Sequence, residues 1–322
     1  MLKSKNHNVG IFGYSGMVGS EIEKLLAGHG GVRVAFRQNS KGASGNLEDC
    51  ALVFLATKDE ESMRFAPQAL AAGARVVDMS GAFRVGQPEF EKWYGLAHEA
   101  PALIGEAAYG MPALFAEQIA GARLVANPGC YPTAVILALR PLKGLVDGEA
   151  VVFATSGNSG ARREAEEEAN DISYAFGTTH KHVPEMHKYT GFPIDFNAVV
   201  LRSVFRGINA NIRIALSDRL KSMKSEGAAE LLENAIRSAY AADDLVEAAR
   251  DSKEHQYGTR DVNGTNKMLV KARAGGGYAY INALIDNLYK GAAGQAVENM
   301  NLMLGFPRLH GLNTGAKEAQ AI

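Results

Sequence analysis

Apolar residues arrive first in short unbroken runs and later in longer, alternating ones. "NVGIFG", "VRVAF", "CALVFLAT" and "ARVVDMS" have strand length. Between the first two lies "MVGSEIEKLLAGH", with Val18, Ile22, Leu25 and Leu26 at helical spacing. Between the last two lies "KDEESMRFAPQALAAGA", a helical pattern ending at Gly73. Strand and helix in regular alternation predict a doubly wound α/β fold: a parallel sheet with helices covering it.

Beyond residue 130 the rhythm changes. A helix over "PTAVILALRPLKGL" is followed by the strands "EAVVFATS", "DFNAVVLRSVF" and "NANIRIALS". A charged helix, "ARREAEEEANDI", and an amphipathic one, "AAELLENAIRSAYAA", are expected among them, which predicts an α+β second domain. Near the end, "AGQAVENMNLML" carries Val297, Met300 and Leu304 as an apolar stripe and is expected to pack back onto the first domain. "PRLHGLNTGAKEAQAI" reads as a loose tail. There are no internal repeats.

Composition narrows the partners. A chain of 322 residues suits two domains. Its net charge of -1 offers no excess of cations for nucleic acid or an anionic membrane. No apolar run approaches the roughly 20 residues of a membrane span, and the N-terminus lacks a signal-peptide core. Two cysteines cannot build a disulfide framework, so a reducing cytoplasm is expected.

Gly13, Gly16 and Gly19 stand between the first strand and the first helix. A tight turn, bare backbone and close helix packing there let amide groups meet a pyrophosphate at a helix N-terminus. A bare βα turn has the same residues, so the context carries the reading. The second strand decides the cofactor: it ends in Arg37, with Ser40 and Lys41 behind and no acid for a ribose 2′-hydroxyl. That predicts NADP(H); a solvated loop arginine is the other reading.

"LVANPGCYPTAV" sets Cys130 between turn residues and an apolar helix expected to start at Pro132. A helix N-terminus favours a thiolate, which makes Cys130 a candidate nucleophile, whereas Cys50 reads as a core residue. The base is sought in "THKHVPEMHKY". His180 and His182 alternate, so on a strand they would share a face, with Glu185 to orient a ring. A metal site from His180, His182, Glu185 and His187, or an exposed polar loop, are the other readings. His7, His29, His98, His255 and His310 lie near the termini, in loops or in charged segments. "TSGNSGARRE" is a second small-residue loop, and Arg84 in "SGAFR" sits at a strand's carboxyl end, where an anion could be clamped or a surface ion pair formed. A thiol nucleophile, a nicotinamide, a histidine and an arginine together define reduction of an acyl phosphate through a thioester.

These residues resemble a family. "GYSGMVGSE", "VVDMSGAFR", "YGMP", "LVANPGCYPTA", "TSGNSGARR", "HKHVPEM", "RGI", "NGTN" and "IDNLYKGAAGQAVENMNLMLGF" are similar, in order and over nearly the whole chain, to N-acetyl-gamma-glutamyl-phosphate reductases, NADPH-dependent enzymes of arginine biosynthesis. The resemblance implies a Rossmann domain over residues 1–129 completed by 287–322, and a glyceraldehyde-phosphate-dehydrogenase-like catalytic and dimerisation domain over 130–286. It implies a homo-oligomer, a dimer or tetramer, acting on a small acyl phosphate without a metal. Catalysis would fall to Cys130, His180, His182 and Glu185. NADP(H) would meet Gly13, Tyr14, Ser15, Gly16, Met17, Val18, Arg37 and Thr57, together with Ser156, Gly157 and Gln295. Arg84, Asn127 and Arg206 would hold the substrate, Arg84 taking the phosphate by similarity with aspartate-semialdehyde dehydrogenases. Relatives acting on N-acetylaminoadipyl or aspartyl phosphate share most of these motifs, and a non-catalytic NADP-binding regulator would share the first domain.

Overall fold

Leu52–Leu55 is a run of apolar side chains with no exposed surface at all. Only a strand covered on both faces accommodates such a run. The computed structural model describes residues 6–160 and 170–313. In chain order its first part runs β1 (His7–Phe12), α1 (Met17–Ala27), β2 (Val32–Asn39), β3 (Gly42–Ser44), β4 (Leu52–Leu55) and α2 (Asp59–Ala71). It continues through β5 (Arg75–Asp78), α3 (Gln87–Tyr94), β6 (Ala108–Tyr109), α4 (Pro112–Gly121) and β7 (Leu124–Ala126). The second part holds α5 (Cys130–Leu139), β8 (Val146–Gly157), β9 (Asp171–Ala175), α6 (Val183–Thr190), β10 (Ile194–Leu201) and β11 (Ile208–Leu216). After these come α7 (Asp218–Lys221), α8 (Ser225–Ala239), β12 (Val246–Ala248), β13 (Met268–Gly275), β14 (Tyr278–Ile285) and α9 (Gly294–Leu304).

Two compact units result. Residues through Gly129 together with Ala292–Asn313 form one, and Cys130–Gly291 forms the other. The first unit's sheet has the order β3-β2-β1-β4-β5-β7-β6, parallel except for the β2–β3 edge hairpin. That is the doubly wound arrangement, and the hairpin extends the strand expected over "VRVAF".

Helix α9 packs on α1, α4 and β5 within this unit. A single apolar stripe was the expectation; instead every residue from Gly294 to Asn301 is buried, while Leu304 is half-buried. Two of the buried asparagines are tied to backbone and side chains of the same unit. The Asn299 amide donates to the Gly110 carbonyl and the Asn127 Oδ1, each at 2.9 Å. Asn301 donates to the carbonyls of Arg308 and His310 at 2.8 and 2.9 Å. Those bonds tie down Arg308–His310 at the start of the expected loose tail, whose residues 314–322 lie outside the described residues. The Asn301 Oδ1 also meets His29 Nε2 at 2.8 Å, and His98 spans the Ala82 carbonyl and the Ala100 amide. Both loop histidines are thus buried staples, at 2% and 6% exposure.

The second unit's sheet has the order β12-β13-β14-β11-β8-β10-β9 and is mixed. Along β10 buried and half-buried residues alternate without a break, so one face of the sheet is core. Helix α5, "CYPTAVILAL", carries no charge and is buried from Tyr131 to Leu139, against α6, β11 and β14. Burying each large apolar side chain there is worth about 1.5–3 kcal/mol. The helix begins at Cys130, two residues earlier than expected, and Pro132 lies inside its first turn, where its missing N–H costs nothing. The helix expected over "ARREAEEEANDI" falls mostly outside the described residues, but Asp171 and Ile172 belong to strand β9.

Gly19 sits where a methyl group would collide with the Gly13 carbonyl oxygen. Gly19→Ala should therefore push α1 off the sheet and cost about 1–3 kcal/mol. Urea denaturation measures it, and an unchanged midpoint would contradict the close packing.

Candidate active site

The glycine loop is built by three contacts. Gly13 has φ +74°, and its amide donates to the Gln38 carbonyl at 2.7 Å, so the chain turns sharply off β1. A Cβ at Gly13 would strike the Ala56 carbonyl oxygen, and the Thr57 methyl lies beside it. At Gly16 a Cβ would meet only the Gly13 carbonyl oxygen, at 3.3 Å, leaving bare backbone outward. Gly16 caps α1 without a side-chain bond, and the first turn of α1 carries no acid. Ser15 and Met17 are exposed beside it, and Tyr14 and Val18 half-buried. Bare amides at an uncapped helix N-terminus fit a dinucleotide's pyrophosphate.

Arg37 lies on β2, as expected, but an acid does reach it. Its Nε donates to Glu23 Oε1 on α1 at 2.6 Å, and its Nη1 reaches the Val34 carbonyl at 3.3 Å. The acid comes from the helix, so scanning the second strand could not find it.

Arg84 differs more from a free anion clamp or a surface pair. It is 5% exposed, donating from Nε to the Asn127 carbonyl and from Nη2 to the Met79 carbonyl, both at 2.7 Å. Nearby Asp78 is fully buried and accepts from the Ser80 amide and hydroxyl. Burial raises its carboxyl to about 6, against the opposing pull of Ser80, Ser62 and the Arg84 charge. Asn127 is fully buried too, its amide donating to the Asp78 carbonyl at 2.8 Å. "DMSGAFR" and "NPG" thus hold each other at the sheet's carboxyl edge. Gln295 is fully buried in the first turn of α9.

In the second unit Cys130 is half-buried at the start of α5, where the free amides and dipole favour a thiolate. A cluster of rings stands beside it. His180 and His182 are not on a strand: His182 caps α6, and the two rings come within 4.7 Å because the chain turns. The His182 amide donates to His180 Nδ1 at 3.1 Å, which leaves the proton of neutral His180 on Nε2. Burial, helped by the Lys181 charge, lowers His180 to about 4. His180 is therefore a neutral N–H donor near pH 7. Glu185, fully buried in the first turn of α6, lies close enough to Tyr189 to help burial push that phenol up. His187 turns away, its ring on the Phe192 carbonyl at 3.0 Å. Among the described residues no three His, Cys, Asp or Glu side chains converge to hold a metal.

Two tyrosines join this cluster without having been singled out. The Tyr174 hydroxyl donates to the Tyr131 hydroxyl at 3.2 Å, and both rings meet His180 at 5.7 Å. Burial raises both phenols, Tyr174 to about 12, and the Cys130 charge adds to each, so both stand near the sulfur. The Ser156 hydroxyl donates to the Gly157 carbonyl at 3.1 Å, and Gly157 lies so close to Arg206 that a side chain would strike its amide. The only local hint was Tyr131 itself, a hydroxyl in a helix otherwise too apolar to face water.

Arg206 lies between the rings of Phe205 and Tyr289, at 5.4 and 5.5 Å, with Nη1 3.3 Å from Asp286 Oδ2. A one-turn π-helix, Tyr289–Ala293, brings Gly291 against Cys130: a Cβ there would stand 2.8 Å from the Cys130 Cβ.

A doubly wound parallel sheet and a separate mixed sheet are the two-domain arrangement of the semialdehyde dehydrogenases. Two family models match accordingly: "Semialdehyde dehydrogenase, NAD binding domain" over residues 38–122 and "Semialdehyde dehydrogenase, dimerisation domain" over 130–287. The chain belongs to the N-acetyl-gamma-glutamyl-phosphate reductase family. It is 38% identical to the reductase of that name from Thermus thermophilus, over 93% of this chain and 96% of the relative. It is 35% identical to the one from Nitrosomonas eutropha, over 95% and 97%. Among solved structures, aspartate semialdehyde dehydrogenase II from Vibrio cholerae has a TM-score of 0.69 at 19% identity, covering 93% of this chain and 99% of that one. The Candida albicans aspartate semialdehyde dehydrogenase with NADP has a TM-score of 0.67 at 14% identity, covering 93% and 98%. At those identities the likeness is one of fold.

Because folded His180 resists protonation, its contribution to stability is fully present above about pH 6.5 and is lost as pH falls towards 4. His180→Gln should flatten the fall in unfolding free energy over that window, measured by urea titration. An identical slope in the variant would place the acid sensitivity elsewhere.

Proposed function

We propose that the chain reduces N-acetyl-gamma-glutamyl phosphate to N-acetylglutamate semialdehyde and phosphate with NADPH, through a thioester on Cys130. The carrying observation is Cys130 as first residue of an uncharged buried helix, beside a histidine pair of which His180 is neutral, in a chain 38% identical to such a reductase. The Cys130 thiol passes its proton to His182, and the sulfur attacks the acyl carbon. The carbon–oxygen bond to phosphate breaks, the phosphate leaving with the electron pair and the proton held on His182. The His180 Nε2–H and the first amides of α5 hold the oxyanion. The uncapped loop at Gly13–Gly16 would hold NADPH, which supplies the hydride that takes the thioester to the aldehyde level. The carbon–sulfur bond then breaks, and Cys130 departs as the thiolate and regains a proton from solvent. Glu185 orients the histidine turn, and Arg206 is assigned to the substrate carboxylate. The geometry favours a structural part for Arg84 and Asn127, holding the chain that leads into Cys130.

The dimerisation-domain match supports a homo-oligomer, a dimer or tetramer. The open face of the second sheet offers the surface, with Phe153 at 59% and Tyr280 at 47% exposure flanking the amide ladder of Asn209, Asn211 and Asn282.

Phosphate-dependent NADP⁺ reduction with a panel of semialdehydes tests the substrate. N-acetylglutamate semialdehyde should be turned over, and preference for the one-carbon-longer or the aspartate analogue would overturn the assignment. Cys130→Ser should lose about a thousand-fold or more in kcat, and His182→Asn about a hundred- to ten-thousand-fold. His180→Gln should lose kcat while keeping the acidic limb of the pH profile, where the base becomes protonated, which His182→Asn should abolish.

Arg37 tests the nucleotide. Arg37→Ser should raise KM for NADPH by about tenfold and leave NADH unaffected. Equal loss with both cofactors would mean that the Glu23 pair, not a 2′-phosphate, is what Arg37 serves.

A further inference from the structure

Asp286 has no exposed surface, yet it is bonded through every oxygen it has. Its Oδ1 accepts from the Leu288 and Tyr289 amides at 2.8 and 3.0 Å. Its Oδ2 accepts from the Gly264 amide at 2.7 Å and from Arg206 Nη1 at 3.3 Å. Its carbonyl accepts from the Gly291 amide at 2.9 Å. Gly291 in turn is the residue pressed on the Cys130 Cβ. One buried carboxylate therefore holds an arginine on one side and, on the other, the turn that seats the thiol.

We propose that Asp286 is a positioning residue that couples the substrate arm, Arg206, to the seat of Cys130, the 288–291 turn. It touches neither reacting atom. A buried ion pair this thoroughly bonded is a poor source of stability beside apolar packing, because desolvation cancels most of the attraction. What it supplies is geometry: a carboxylate offers acceptors on two sides at once, with no donor to clash. Asparagine keeps the Oδ1 acceptor but turns an N–H₂ towards the Gly264 amide and Arg206, leaving three donors facing one another. The two halves of the site should then loosen separately. The Arg206 arm governs KM, and the seat of Cys130 governs kcat.

The inference rests on the reductase reading, so one readout needs no substrate. Steady-state kinetics with N-acetylglutamate semialdehyde, iodoacetamide alkylation of Cys130 and thermal midpoints are compared for wild type, Asp286→Asn, Arg206→Met and the double variant. Asp286→Asn should raise KM about tenfold and lower kcat about tenfold. In the double variant KM should be no higher than in Arg206→Met alone, while the kcat loss of Asp286→Asn persists. Alkylation of Cys130 should quicken at least threefold in Asp286→Asn, since the covering turn is released and a nearby negative charge is removed. Cys50 is the internal control: burial pushes its thiol up to about 11, and it should stay unlabelled while the fold is intact. If Asp286→Asn fails to fold, Gly291→Ala carries the test, with kcat falling at least a hundredfold and KM changing less than threefold. A lower thermal midpoint with KM, kcat and alkylation unchanged, or strictly additive KM effects, would overturn the proposal. Wild-type enzyme inert towards the semialdehyde would instead defeat the functional reading, with alkylation still reporting on Asp286.

Discussion

A buried guanidinium with no water to solvate it must find acceptors, and Arg84 finds them in the Met79 and Asn127 carbonyls. Those two bonds lock the carboxyl ends of β5 and β7 to each other. Asn127, the residue after β7, is thereby fixed from both sides, its amide on the Asp78 carbonyl and its side chain on Asn299. Three residues later the chain reaches Cys130. Breaking one partner of such a network leaves a charge buried and unmatched, typically a loss of about 3–5 kcal/mol.

On the other side of Gly129 the constraint is apolar. Helix α5 is uncharged and enclosed, so its polar groups, Cys130, Tyr131 and Thr133, all lie in its first turn, where the dipole is strongest. The same enclosure keeps His180 neutral and both tyrosines protonated, so these three rings stand near the thiol as uncharged groups. One physical cause, loss of water around an apolar helix, thus sets the protonation state of His180, Tyr131 and Tyr174.

Much of this was legible one residue at a time. Gly13, Gly16 and Gly19 stand out because only glycine fits where backbone meets backbone. Cys130 stands out because turn residues precede it and a run of apolar ones follows. The histidine pair was found by its spacing, but for the wrong reason: a helix-capping turn brings the rings together, not a strand. Tyr174 and Asp286 gave no local sign. Their roles come from partners that are distant in sequence, at separations of 43 residues for Tyr174 and 80 for Asp286 with Arg206.

The amino-acid sequence by itself determined the alternation of strand and helix, the glycine turn and the thiol at a helix start, because each depends on neighbours within a few positions. Tertiary structure alone decided what the charged residues do. Arg37 meets Glu23, Arg84 turns inward to two carbonyls, and Arg206 joins Asp286. A charge's partner is whatever folding brings within reach once water is excluded, and no local pattern encodes that.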